Sequence, residues 1–421
     1  MSGTLPFQIR PGIPALGSRN AITDGGPWNG IVRRWVLLLL AMQSVAFAFL
    51  FAGVQGWVVR LDHPVSVDFV SFYAAGLLAD QGQAAAAYSR AAHFAAEQAV
   101  LSPGISYQFF LYPPPFLLLC SVLARLPWAL SFVVFEAVTL LGCLAVLRAV
   151  LDLPWRHCLA GLLAFPAVPW VLLLGQNSFL TAGLFGLAML LLERRPVLAG
   201  LVVAGLACKP HFAVLVPLAF AAGGCWRAFA AAAAGVLATC MLATLLYGGG
   251  IWSAYLATMA ASQPELQAGL VGRFGAMVSP YGALRALGAS HAAALLGQAL
   301  AFTVAATVVA LLWRRQGALP VRAAALLAAG LIAIPMALFY DLMLALVALC
   351  WLVRQGRDTG FPPGSLCIMG ACWLLPGLAL ILGDRHLPVG GLVAPALLLL
   401  CWRWQASLDL CRRPPPRSGT A

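Results

Sequence analysis

The chain has 421 residues, 62% of them apolar and only 9% charged, with a mean hydropathy of +0.93. A soluble domain carries about 25% charged residues, so the composition excludes a water-soluble globular protein, and its hydrophobicity excludes a disordered one. The net charge of +12, from 25 basic and 13 acidic residues, is scattered between apolar runs, which points to orientation in a membrane rather than to nucleic acid.

In chain order, residues 1–34 form a polar tail with Pro and Gly, and Arg33-Arg34 abut a first apolar run at 35–57. That pattern predicts a signal-anchor helix with its N-terminus inside. Residues 58–128 are too polar and too interrupted to span. They predict amphipathic helices at 68–80 and 84–99, a turn at Tyr112-Pro113-Pro114-Pro115, and a short interfacial run at 116–126. Further spans are predicted at 129–150, 158–174, 178–192, 196–208, 211–223, 228–247, 290–313, 321–339, 342–353, 365–382 and 388–404, twelve with the first. The architecture expected is all-α, a single transmembrane domain over 35–404, with outer loops 58–128 and 248–289 and a Pro/Arg-rich tail at 405–421. With this topology the inside segments hold 18 of the 25 basic residues. Making 113–126 a full span would degrade that asymmetry, so the positive-inside rule favours the interfacial reading. The eleven Cys lie mostly in apolar runs (Cys143, Cys208, Cys240, Cys350, Cys372) with no C-x-x-C pair, and read as small buried hydrophobes. No internal repeat is apparent, which counts against inverted-repeat transporters.

Few residues can carry chemistry in so apolar a chain. Asp68 opens a segment in which Phe69, Phe72, Tyr73 and Gly76 share one helical face. With Ser66 as cap, Asp68 sits in the first turn, where the helix dipole is expected to keep it ionised; such a carboxylate suits a general base. Its plain alternative is a first-turn acid with no other job. Lys209 is the one Lys among 25 basic residues, between two apolar half-spans, beside Pro210 and His211. An ammonium there is costly unless paired and suits a phosphate as a point charge; snorkelling to the interface is the alternative. Gly175-Gln176-Asn177 closes a tight outer turn, Tyr340-Asp341 lies at another, and Glu136 is an acid within a span. Arg273 and Arg285, in the second outer loop, are candidates for a lipid phosphate. Tyr107, Tyr112, Trp252, Tyr255 and Tyr281 read mostly as belt aromatics. Walker A, G-x-G-x-x-G, H-E-x-x-H and D-x-D motifs are all missing, and the inside loops are too short for a nucleotide, so a transferase would take a lipid-borne donor.

Taken in order, these pieces resemble glycosyltransferase family 87, polyprenyl-phosphate-mannose-dependent α-1,2-mannosyltransferases of the GT-C class. Asp68-Phe69, Tyr73-Ala74-Ala75-Gly76, Gly82 and Tyr88 are similar to the family's first outer loop, which carries its proposed catalytic Asp. Tyr112-Pro113-Pro114 with Leu126-Pro127, then Gly175-Gln176-Asn177, then Ala199-Gly200 with Lys209-Pro210, and last Tyr340-Asp341 resemble its later motifs. Together they cover roughly residues 60–350. The chain departs from the pattern at Pro335-Met336-Ala337-Leu338-Phe339, where the family carries a Ser/His stretch.

The resemblance implies a GT-C-like fold of about twelve transmembrane helices in the plasma membrane, with the site facing the periplasm or cell exterior. It implies a hexosyltransferase that moves a sugar, mannose by the resemblance alone, from a polyprenyl-phosphate donor to a lipid or glycan hydroxyl with inversion. Asp68 would be the base. Lys209, Arg273 and Arg285 would hold the donor phosphate. Tyr73, Tyr112, Gln176, Asn177, His211, Tyr340 and Asp341 would line the sugar and acceptor sites. No cofactor is expected, and the scarcity of outer carboxylates argues against a tightly held divalent ion. Two other classes stay open from the residues alone: an organic-anion transporter with Lys209 and Asp341 as a gate pair, and a non-catalytic lipid scaffold or flippase partner.

Overall fold

The computed structural model describes residues 68–270, 274–383 and 385–412, with scattered positions between 34 and 66. Helices dominate, as they must where lipid offers the backbone no hydrogen bonds. The all-α expectation omits one feature. Three short strands, β1 (Val54–Gln55), β2 (Val58–Leu61) and β3 (His63–Ser66), form an antiparallel sheet in that order. Val54 pairs with Val59 and Val59 with Val65, β-branched residues that suit a pleated strand. The expected span 35–57 lies mostly outside the described residues, although its Gln43 donates to the Ala164 carbonyl at 2.8 Å. Residues 1–33 and 413–421 also lie outside.

Helix α1 (Phe69–Asp80) is not amphipathic as expected: ten of its twelve residues are buried. It lies across α3 (Pro114–Ala124) so closely that a Cβ on Gly76 would collide with the Cys120 carbonyl. The expected helix 84–99 divides at Ser89 into a 3-10 turn (Ala84–Tyr88) and α2 (Arg90–Val100). Only His93 and Glu97 of α2 are buried, so α2 covers α1 with one face. Helix α3 is 11 residues long, too short to span.

Among the described residues, five helices are long and apolar enough to cross a membrane. They are α4 (Trp128–Leu151), α10 (Trp226–Tyr247), α13 (His291–Arg314), α15 (Met343–Thr359) with the 3-10 turn before it, and α17 (Val393–Arg412). The pair α5 (Trp155–Leu163) and α6 (Val168–Leu174), bent by 74°, makes a sixth if taken as one span. The twelve expected spans are not reproduced by length. Several become shorter helices: α7 (Ser178–Leu191), α8 (Pro196–Ala204), α9 (Val216–Ala222), α14 (Leu319–Ile332) and α16 (Ser365–Gly383). Gly175, Pro196 and Pro210 turn the chain before it reaches the roughly 20 residues a bilayer needs. Outside the bundle's long helices lie α11 (Gly250–Leu270) and α12 (Pro280–Ala286). Helix α17 runs to Arg412, so the expected tail begins as helix.

Helices α14 and α15 form the centre. Twelve of the fourteen residues of α14 are buried, as expected of a helix apolar on all sides. At the periphery α10 turns Leu237, Met241 and Leu245 outward, and α13 turns Leu296 and Leu300 outward. Such faces belong in lipid, and the chain is a membrane protein. Small residues also set a close crossing of α8 on α10, with Gly200 against Ala228 and Ala231, as in other lipid-embedded helix pairs.

Candidate active site

Asp68 is the N-cap of α1, with helical backbone angles. Ser66, the expected cap, belongs to β3 instead. The Asp68 side chain leaves the helix end alone: its Oδ2 accepts from Gln176 Nε2 at 2.5 Å. Gly175 permits this. Its φ is +68°, and a Cβ there would lie 2.5 Å from that of Phe69, so glycine lets the turn between α6 and α7 press on the start of α1. The Phe69 ring then packs against Trp128, Phe132 and Phe135 of α4 with centroids 5.3–5.4 Å away. Burial pushes the Asp68 pKa from 3.8 up to about 6, against the opposing Gln176 hydrogen bond and Lys209 charge. Loss of water outweighs the partial charge at a helix end. The carboxylate still ionises at neutral pH, but the dipole is not what governs it.

Lys209 is where α8 fails to continue. After a 3-10 turn (Gly205–Cys208) it adopts φ −134° and ψ 68°, and Pro210 opens another 3-10 turn. The residue before a proline is driven out of the helical region, and here that turns the ammonium inward. Nζ donates to Asp341 Oδ1 at 3.0 Å, both residues being buried. It also stands 5.5 Å from the ring centres of Phe212 and Tyr340. Asp341 lies in the 3-10 turn Phe339–Leu342, and its Oδ2 accepts the Leu338 N–H at 3.0 Å. That loop is held in turn by Val278 N–H donating to Ala337 O at 2.8 Å. A buried ammonium and carboxylate are tolerable only as a pair.

Several expected residues converge here. Lys209 acts electrostatically on Asp68. Tyr112 feels both Asp68 and Asp341 and approaches the Asn177 amide; burial, chiefly, holds its hydroxyl well above the usual phenol range. Tyr340 is close enough to feel Asp68, Asp341 and Tyr112, and His211 to feel Lys209 and Asp341. Tyr112 is fixed by a tilted ring contact with Phe116 at 4.5 Å and by the Tyr88 hydroxyl, which donates to its carbonyl at 2.9 Å. Gln176 and Asn177 are 4% and 0% exposed. Gln176 Oε1 and both amide atoms of Asn177 have no well-formed hydrogen bond among the described residues. The site therefore offers a carboxylate with raised proton affinity, an ammonium, and amides with unused hydrogen-bonding capacity. Among the described residues no group of three His, Cys, Asp or Glu is gathered for a metal.

Other expected residues lie elsewhere. The Tyr73 hydroxyl donates to Leu126 O at 2.8 Å, and its ring packs on Trp128; it ties α1 to the turn before α4. Arg285 donates to Ala289 O at 2.7 Å and stacks on Phe274 at 4.8 Å, with no described interaction with Asp68 or Lys209. Arg273 lies outside the described residues. Tyr112 and Tyr281 pack inside the protein rather than in a belt; the Tyr281 hydroxyl is 2.9 Å from His291 Nδ1. One feature escaped the sequence. His93 and Glu97 of α2 are both fully buried, with Nδ1 and Oε1 3.7 Å apart. His93 Nε2 reaches Ser71 O at 3.0 Å, and Glu97 Oε2 accepts the Gln108 N–H at 3.1 Å. Burial lowers His93 to about 4 and raises Glu97 to about 8, and Glu97 feels the charge of Asp68. The signal was an i, i+4 His–Glu pair on an Ala-rich helix.

Compared with known proteins, the chain matches the family model "Glycosyltransferase family 87" over residues 110–340. That match covers more than half of its length. No curated protein and no solved structure matches it.

Proposed function

The chain belongs to glycosyltransferase family 87, and from that premise we propose that it transfers a hexose, mannose in the first instance, from a polyprenyl phosphate to an acceptor hydroxyl on the outer face of the membrane. The observation that carries this reading is the Asp68 carboxylate, whose proton affinity is raised to about 6 and which is held by Gln176 within reach of the Lys209 charge. A base works best with a pKa near the operating pH.

In this reading the acceptor oxygen attacks the anomeric carbon while the bond from that carbon to the phosphate oxygen breaks. The acceptor proton passes to Asp68. The electron pair leaves with the polyprenyl phosphate, and one displacement inverts the centre. Lys209 has three N–H donors, and one is given to Asp341. The remaining two meet the charge that develops on the departing phosphate. Asp341, with both oxygens engaged, orients Lys209 rather than binding sugar. Asn177, Tyr112 and Tyr340 line the space around the ring.

Purified protein in detergent or nanodiscs, given a panel of polyprenyl-phosphate sugars, tests the reading directly. Transfer from polyprenyl-phosphate mannose that Asp68→Asn lowers by about 10²–10⁴-fold is the expected result. Wild-type turnover by Asp68→Asn, or transfer only from a nucleotide sugar, overturns it.

A further inference from the structure

Glu136 is a buried acid that the mechanism leaves unused. It lies in the third turn of α4, inside a helix long and apolar enough to span. The residue is 6% exposed, and neither carboxylate oxygen has a hydrogen-bond partner among the described residues. A buried carboxyl without a partner is costly, and at membrane depth such a group marks a functional site by default.

Its position follows from the packing of α4 on α7. A Cβ added to Gly175 would touch the Phe132 ring, one on Gly183 would lie 3.5 Å from the Cys143 Cα, and one on Gly186 would press on Val146. The two helices therefore run parallel, each α4 residue level with one 40–43 positions later. Phe132, Glu136, Cys143 and Val146 fall on the single face that α4 turns to α7. Glu136 is thus set between the Phe132–Gly175 contact and the Cys143–Gly183 contact, level with the first turn of α7. Helical side chains lean toward the N-terminus, which carries its carboxyl toward residues 176–178. There Asn177 and Ser178, 0% and 2% exposed, leave Ser178 Oγ without a hydrogen bond among the described residues and the Asn177 amide with no well-formed one, although it lies close to Tyr112. Gln176, the next residue, is the one that holds Asp68.

Three side chains at the level of the first turn of α7 thus leave hydrogen-bonding capacity unused, next to the Gln176 that holds Asp68, in a wall otherwise built of Phe132, Phe135 and Phe69. Apolar walls with a few convergent polar groups are how small polar ligands are oriented. We propose that Glu136, Asn177 and Ser178 form the subsite that hydrogen-bonds the ring hydroxyls of the transferred sugar and so sets which sugar is accepted. The proposal rests on the glycosyltransfer reading above. Glu136 is a specificity-determining residue in it; the proton still goes to Asp68.

The test is a cycle between side chain and substrate hydroxyl. kcat/KM is measured for a polyprenyl-phosphate hexose and for its monodeoxy analogues, with wild type, Glu136→Leu, Glu136→Gln and Ser178→Ala. A site that hydrogen-bonds a hydroxyl rejects the analogue lacking it strongly. Glu136→Leu is expected to lose about 30–100-fold on the full sugar and to show little further loss on one particular deoxy analogue. Glu136→Gln, which keeps hydrogen-bonding groups, is expected to lose less. Equal losses on every donor, or no loss, overturn the subsite. Should Glu136→Leu fail to fold, Glu136→Gln and Ser178→Ala decide by the same criterion. If the wild type transfers sugar, Asp68→Asn does not, and discrimination is untouched by these variants, the subsite alone fails. If the wild type uses no polyprenyl-phosphate sugar, the parent reading fails and the subsite with it.

Discussion

At the scale of single residues, Asp68 shows how position and environment compete. Its place before an apolar helix was legible, and the dipole argued for easy ionisation. Burial decided otherwise, raising it from 3.8 to about 6. Two results follow. Below pH 6 the base is protonated, so kcat/KM is expected to fall about tenfold per pH unit, readable in a pH–rate profile; a flat profile down to pH 5 would remove Asp68 from that role. The folded carboxyl also binds its proton more tightly than the unfolded one. Stability is therefore lost as pH rises from about 4 to about 6, and the loss persists above. Asp68→Asn cannot ionise, so at pH 7 its Tm is expected to equal or exceed that of the wild type while activity collapses. Lys209 and Asp341 stand out as ionisable residues in apolar surroundings, each in need of a partner, and the fold joins them across 132 positions. Lys209→Met strands a buried carboxylate and is expected to cost about 3–5 kcal/mol. Lys209→Met with Asp341→Leu is expected to regain thermal stability without regaining transfer, which separates the structural from the chemical share of the pair.

At the scale of elements, the sequence missed where a short helix has no free side. Helix α1 looked amphipathic because its aromatic residues repeat at helical spacing. Its remaining residues are small, and α3 fills that side, with Gly76 against the Cys120 carbonyl. Gly76→Val is expected to destabilise by about 1–3 kcal/mol, with retention of helix content but a lowered Tm. Helix α2 docks on the same unit through His93 and Glu97. Glu97 holds its proton in the fold up to about pH 8, against 4.5 ordinarily, so the wild type loses stability as pH climbs from about 4.5 to about 8. Glu97→Gln is expected to show a shallower decline in Tm across that interval; an unchanged slope would mean the pair is not buried in solution. Periodicity alone did not reveal this docking, since an i, i+4 pair reads equally well as a solvated face.

At the scale of the whole molecule, the charge pattern is the main guide to orientation. The expected inside segments hold 18 of 25 basic residues, and the site end carries Asp68, Gln176 and Asp341. A cysteine introduced at the exposed Gln81, beside α1, is expected to react with an impermeant maleimide in intact cells. Cys367, exposed at the start of α16, is expected to react only after permeabilisation. The reverse result would place the site on the inner face. Span counting was less reliable, because alternation of apolar run and turn does not reveal whether a run is a full crossing. Runs cut short at Gly175, Pro196 and Pro210 give helices that pack in the bundle without the length to cross it alone.

The sequence by itself determined that this chain lives in a membrane, that it is mainly helical, and which few ionisable residues were worth attention. Composition and the cost of a charge in lipid act residue by residue and need no fold to be read. Tertiary structure alone decided which of those residues meet. Gln176 reaches Asp68 because Gly175 lets two backbones touch, Lys209 finds Asp341 because Pro210 breaks a helix at the right depth, and Tyr73 and Arg285 turn to other partners. Contacts between distant segments depend on how helices cross, and no local pattern records the crossing.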